Sequence, residues 1–222
     1  MRFRRIGGLA GVLAAVLIIG LYPLFFLAPP FPTYGYAEVE QVLIRLSSPG
    51  LERTLFLLWQ DISFVAALLF VFLFVALHRV LRPASPGLAL AGTGLGLAGS
   101  VLLALSVLTA RGALILADLY ADASAADQAT IVIVAETLDR LLVHGLVATS
   151  LVLLAVALIP FGLAMRGDSP YPRIYGTLTL ALGAAVLILE LVIPGAATTI
   201  TNLPMIAWLL LAGLSVYRFS RG

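Results

Sequence analysis

The chain has no cysteine and no lysine, only two histidines, and charged side chains at just 11% of its 222 residues. Without cysteine there is no disulfide, no thiolate ligand, no cysteine nucleophile and no lipidated thiol. Without lysine no Schiff base can form, which excludes a retinal-type chromophore. The motif His-Glu-x-x-His is missing, and so is Gly-x-Ser-x-Gly. Metal-hydrolase and serine-hydrolase chemistry therefore have no foothold. The formal net charge is only +2, with the arginines spread over short segments rather than run together. That balance speaks against nucleic acid as a partner.

What is abundant is apolar. Hydrophobic residues make up 62% of the chain, beyond what a soluble domain of this size can bury. Six long apolar runs account for most of the length, at about 6–27, 55–81, 87–120, 128–165, 174–193 and 203–217. Each is at least near the ~20 residues that a membrane helix needs. The expected fold is all-α: a single domain over residues 1–222, a polytopic six-helix bundle with no separate soluble part. The stretch from Ile6 to Leu27 exceeds the ~7–15 apolar residues of a signal peptide, so it reads as a retained first span.

The charges orient these runs. Of thirteen arginines, nine (Arg2, Arg4, Arg5, Arg79, Arg82, Arg166, Arg173, Arg218 and Arg221) fall on one side, and ten of eleven acids fall on or beneath the other, Asp168 being the exception. The positive-inside rule puts the arginine side in the cytoplasm, with both chain ends inside. The location implied is a bacterial plasma membrane, crossed several times.

Between spans, Pro29, Pro30 and Pro32 stop the first helix. Ala37–Leu46 places Val39, Val42, Leu43 and Leu46 at helical spacing, as in a short amphipathic helix on the outer surface. Spans three and four exceed what a bilayer needs, so they predict a projecting outer hairpin, with Ser124 or Asp127 as N-cap of the second arm. Pro194 and Gly195 end span five, and Asn202 with Pro204 open span six. A formal GxGxxG match at Gly94–Gly99 lies inside a span, where no phosphate can reach. Gly92, Gly96, Ser100 and Ala104 read instead as a helix-packing face. Neither a cofactor nor a metal is indicated; His78 and His144 fall at opposite leaflets and cannot share a haem or metal.

One constellation stands out on the acidic side. Glu136, Arg140 and His144 follow at i, i+4 and i+8, with Asp139 adjacent. Counting about 20 residues from each arginine-side boundary brings Asp61, Arg111 and Glu190 to a similar depth. Charged groups at such depth face one another or a water-filled pocket, not lipid. Two readings stay open: an interhelical salt-bridge network, or an outward-facing polar pocket for a small polar ligand, a cation or a lipid headgroup. The corresponding classes are a binding or transport protein and an accessory subunit held by a membrane-protein partner, both among membrane lipid. An intramembrane enzyme is a third class that no motif supports.

Several short elements carry a resemblance. They are Arg5-Ile6-Gly7-Gly8-Leu9, Asp61 early in span two, and Leu77-His78-Arg79-Val80-Leu81-Arg82-Pro83 at its end. Further on come His144-Gly145, Leu158-Ile159-Pro160-Phe161-Gly162 and Pro172-Arg173-Ile174-Tyr175-Gly176. Together they resemble a bacterial family of six-helix integral membrane proteins of unknown function. The resemblance implies six membrane helices and carries no activity, cofactor or catalytic residue. An aromatic residue is commoner in that family where His78 stands, which argues against a special role for this histidine.

Overall fold

A computed structural model describes residues 2–27, 39–167, 169–192 and 202–218. Pro29, Pro30, Pro32, Ala37, Glu38, Asp168, Pro194, Gly195 and Arg221 lie outside the described residues. Among the described residues every regular element is helical. The helices are α1 (Arg2–Leu27), α2 (Val39–Ser47), α3 (Leu51–Leu81), α4 (Pro86–Ala110), α5 (Gly112–Asp122) and α6 (Ala125–Leu138). A π-helical turn (Asp139–His144) joins α6 to α7 (Gly145–Arg166); α8 (Arg173–Val192) and α9 (Asn202–Arg218) complete the set.

Four helical stretches are long and apolar enough to cross a membrane: Leu51–Leu81, Pro86–Asp122, Ala125–Arg166 and Arg173–Val192. Their outward faces agree with that. On α1, Ile6, Leu9, Leu13 and Val16 are exposed at helical spacing, as are Val65, Leu68 and Phe72 on α3 and Val101, Leu105 and Leu108 on α4. Apolar surface this continuous is not kept in water by a soluble monomer. It is the surface of a protein solvated by lipid.

The long helices pack in the order α9–α1–α3–α4–α7–α8. Small residues set how closely they approach. A methyl group added at Gly8 would stand 2.7 Å from the Gly213 carbonyl oxygen of α9, and one at Gly162 would stand 2.8 Å from the Gly176 carbonyl oxygen of α8. With lipid on the outside, helices gain little from hiding apolar side chains from each other, so backbone-close packing supplies the attraction. The face predicted on α4 follows this logic: Gly92 lies under the Phe161 ring and Gly96 under the Phe74 ring. Those two rings stack at 5.8 Å, and Trp208 of α9 approaches Phe74 at 6.4 Å. Aromatic packing thus fills the middle of the bundle. The ring of helices is least closed between α8 and α9, although these follow each other in sequence.

A second, smaller apolar cluster sits at the far end from Arg82 and Arg166. Leu43 and Leu46 of α2 pack with Phe56 of α3, Leu114, Ala117 and Tyr120 of α5, and Ala135 of α6. Polar bonds pin the same elements: Arg53 forks onto both oxygens of Asp118 and also donates to the Leu46 carbonyl at 3.0 Å. The Tyr120 hydroxyl donates to Glu40 at 2.7 Å. The amphipathic helix expected to lie on the outer surface is therefore seated on the hairpin. Its apolar face prefers Phe56 and Tyr120 because the hairpin arms run past the bilayer thickness and leave apolar side chains there to cover. Ser124 caps α6 by accepting from the Asp127 N–H.

Candidate functional site

Both arms of the hairpin depart from α-helical hydrogen bonding at the same height. The arm expected as one helix from Gly87 to Tyr120 runs on through Arg111, whose backbone stays right-handed helical (φ −62°, ψ −22°), with a one-residue break in its regular bonding. There the Arg111 N–H reaches back to Leu108, and Leu114 N–H to Arg111, in tight three-residue steps. The returning arm widens into the π-helical turn at 139–144. A methyl group on Gly112 would touch Leu138 at 3.8 Å, which sets the two breaks side by side. Single π-turns in long helices recur at functional sites. Counted at 1.5 Å per residue from the arginine-rich end, this layer lies roughly 30–40 Å away, at the far edge of a bilayer core.

Six of the seven sequence-predicted residues fall in this layer. Arg111 bonds Asp61, joining α3 to the α4 break. Arg140 lies 3.9 Å from Glu136 one turn before it. His144 points Nδ1 at the Asp139 carboxylate (3.1 Å) and at the Asp139 carbonyl oxygen (3.0 Å). Both partners are acceptors, so Nδ1 carries the proton. The expected face of Glu136, Arg140 and His144 is altered by the π-turn. An extra residue per turn rotates His144 away from that row and onto Asp139, five residues back.

Two of these pairs are open: the Asp61 side chain is 61% exposed and that of Arg140 78%, whereas Asp139 and His144 are largely covered. An ion pair open to water contributes about 0–1 kcal/mol, against the roughly 3–5 kcal/mol lost on breaking a buried one. Glu190 stands apart. Gly183 of α8 sits against the Ala155 carbonyl of α7, so one heptad on, Glu190 comes level with Ala148, about one turn nearer the arginine end than His144. It is 5% exposed, buried in the α7–α8 seam.

The sequence reading missed Gln60. This side chain is 0% exposed, and neither its amide nitrogen nor its amide oxygen has a hydrogen-bond partner among the described residues. The same holds for Nε of Arg111. Gln60 lies two heptads before Phe74 on one face of α3; Phe74 packs on Gly96, and two heptads beyond Gly96 is Ala110, beside Arg111. Gln60 therefore faces the break in α4. The available signal was its helical phase with Phe56, Ala67 and Phe74, which marks a buried face rather than a polar flank. Among the described residues no three His, Asp or Glu side chains gather as a metal site.

Apolar outer faces, backbone-close helix seams and four helices of spanning length define an integral membrane protein of the helical-bundle class. A family model described as "Domain of unknown function (DUF4386)" matches residues 9–217, and the chain belongs to this family. No curated protein and no solved structure matches it.

Proposed function

We propose that the layer of helix breaks is a binding site for a small polar ligand, a cation or a lipid headgroup, reached from the side opposite the arginine-rich end. In this reading α1 and α9 join the four long stretches as spans, giving six crossings of a bacterial plasma membrane with both ends in the cytoplasm. Asp61, Arg111, Glu136, Asp139, Arg140 and His144 rim the site, and Glu190 lies beneath it. The observation that carries the reading is the buried amide of Gln60 facing the α4 break without a protein partner. Leaving such a group unsatisfied costs about 1–3 kcal/mol, a cost that a ligand accepting from the amide N–H groups and from Arg111 Nε–H removes.

A second reading has support of its own. The charges of Asp61 with Arg111, Glu136 with Arg140 and Asp139 with His144 meet within the protein, and the first of these pairs joins two helices, as a network that only orients helices would. The protein would then be an accessory subunit of a larger membrane complex. Native mass spectrometry from mild detergent separates the two. A site retains a stoichiometric small molecule or lipid, which is lost in Glu136→Gln and His144→Ala proteins that still fold. A second polypeptide with no small molecule, and indifference to His144→Ala, favours the subunit.

A further inference from the structure

We propose that the seam between α8 and α9, at the arginine-rich end, binds one anionic phospholipid, with an acyl chain in the seam and its phosphate against Arg166, Arg173 and Arg218. Three observations converge there. The α8–α9 seam is the weakest lateral contact between neighbouring long helices, and at its arginine-rich end a small, laterally open cleft lies between Met165, Tyr175, Leu178, Trp208 and Leu211, where the end of an acyl chain can seat. The lining is overwhelmingly apolar, and its floor is fixed: Trp208 Nε1 donates to Thr179 Oγ1 at 2.9 Å, tying α9 to α8 across the gap. Beside it, burial holds the Tyr171 hydroxyl above the usual tyrosine pKa, so it stays neutral. An apolar groove open to the side of a lipid-solvated bundle is suited to hydrocarbon rather than water.

The mouth of this groove supplies the charge. Arg166 follows Met165 at the end of α7, Arg173 opens α8 two residues before Tyr175, and Arg218 closes α9 one turn beyond Ser215. All three are exposed, and among the described residues none forms an ion pair. Each basic residue near an anionic membrane surface adds about 1 kcal/mol of attraction. Arginine also presents a planar fork that matches phosphate oxygens. Three such groups around one apolar slot select a headgroup with net negative charge over a zwitterionic one.

The test uses the full chain in a nonionic detergent, titrated with dioleoyl phosphatidylglycerol, dioleoyl phosphatidylcholine or inorganic phosphate and read by native mass spectrometry. The expected result is one phosphatidylglycerol bound at least tenfold more tightly than phosphatidylcholine, with no competition from inorganic phosphate at equal concentration. Replacing all three arginines by glutamine (R166Q, R173Q, R218Q) abolishes the preference, and replacing all three by lysine largely restores it. Because the three positions are exposed, both proteins melt like the wild type. Leu178→Trp, at another exposed position on the groove, weakens phosphatidylglycerol at least fivefold by obstructing the chain. Equal binding of the two lipids, an unchanged preference in the glutamine protein, or full competition by phosphate overturns the proposal.

Discussion

Gly162→Val is expected to lower the unfolding free energy of the purified protein by about 3 kcal/mol, at the upper end of overpacking costs. The clash is with backbone, not with a side chain that can rotate away. Even a single methyl at this position would stand 2.8 Å from both the Gly176 carbonyl oxygen and the Leu180 nitrogen, and 2.6 Å from the Leu180 Cγ. The reciprocal methyl at Gly176 would meet the Gly162 carbonyl oxygen at 2.6 Å. Relief requires α7 and α8 to separate, which strips the close van der Waals contact that holds membrane helices together. Gly94→Ala is the control, because a methyl there meets nothing within 4 Å. It should leave stability unchanged or raise it by up to about 1 kcal/mol through helix propensity. Reversible unfolding by denaturing detergent, followed by circular dichroism, reads both. Equal effects from the two substitutions would mean that the α7–α8 seam is not packed as described.

Gln60→Leu is expected to act in the opposite direction. Leucine has nearly the volume of glutamine and no polar atoms. Replacing an amide that lacks protein partners therefore removes a desolvation cost of about 1–3 kcal/mol and stabilises the ligand-free protein by a similar amount. The same substitution should eliminate retention of whatever the outer layer binds. Gain of stability with loss of binding is the signature of a group kept for function. A network that merely orients helices predicts the same gain in stability with no ligand to lose, so retention of a bound molecule is the deciding readout. Thermal melts of wild-type and Gln60→Leu protein, with native mass spectra of each, separate these outcomes.

How far the sequence leads can be traced through particular residues. Apolar run length and the arginine bias point to a helical membrane bundle because both reflect the bilayer itself, a solvent with one thickness and one charge rule. The packing role of Gly92 and Gly96 was legible for the same reason: a four-residue repeat of small side chains has one main use in a membrane helix. The hairpin was legible as excess length. Its cap was not, because Arg53 and Asp118 are 65 positions apart and Glu40 and Tyr120 are 80 apart, and local periodicity has no information on such pairings.

The candidate site was legible in composition and less so in geometry. Six charged residues share a layer, yet a regular α-helix puts His144 on one face with Glu136 and Arg140, whereas the π-turn brings it onto Asp139. Nothing in Asp139–His144 signals a π-turn by propensity; the turn packs against α4, a contact that local periodicity does not report. Counting about 20 residues from the boundary set Glu190 too far out: Gly162 and Gly176 meet close to Arg166 and Arg173, so α7 and α8 start level, and Glu190 comes sooner after Arg173 than His144 does before Arg166. Gln60 was passed over because a neutral amide carries no charge pattern. Its importance comes from burial, which only the tertiary arrangement supplies.

The central claim is that the layer formed by the Arg111 break, the π-turn and Gln60 holds a polar ligand. The most direct measurement is a high-resolution density map of the purified protein in a lipid nanodisc, inspected at the Gln60 amide. The account predicts non-protein density within hydrogen-bond distance of both the Gln60 amide and Arg111 Nε, and its disappearance in Gln60→Leu protein of unchanged fold. A map in which the Gln60 amide is hydrogen-bonded to the protein's own backbone or side chains, with no density beside Arg111 Nε, would contradict it.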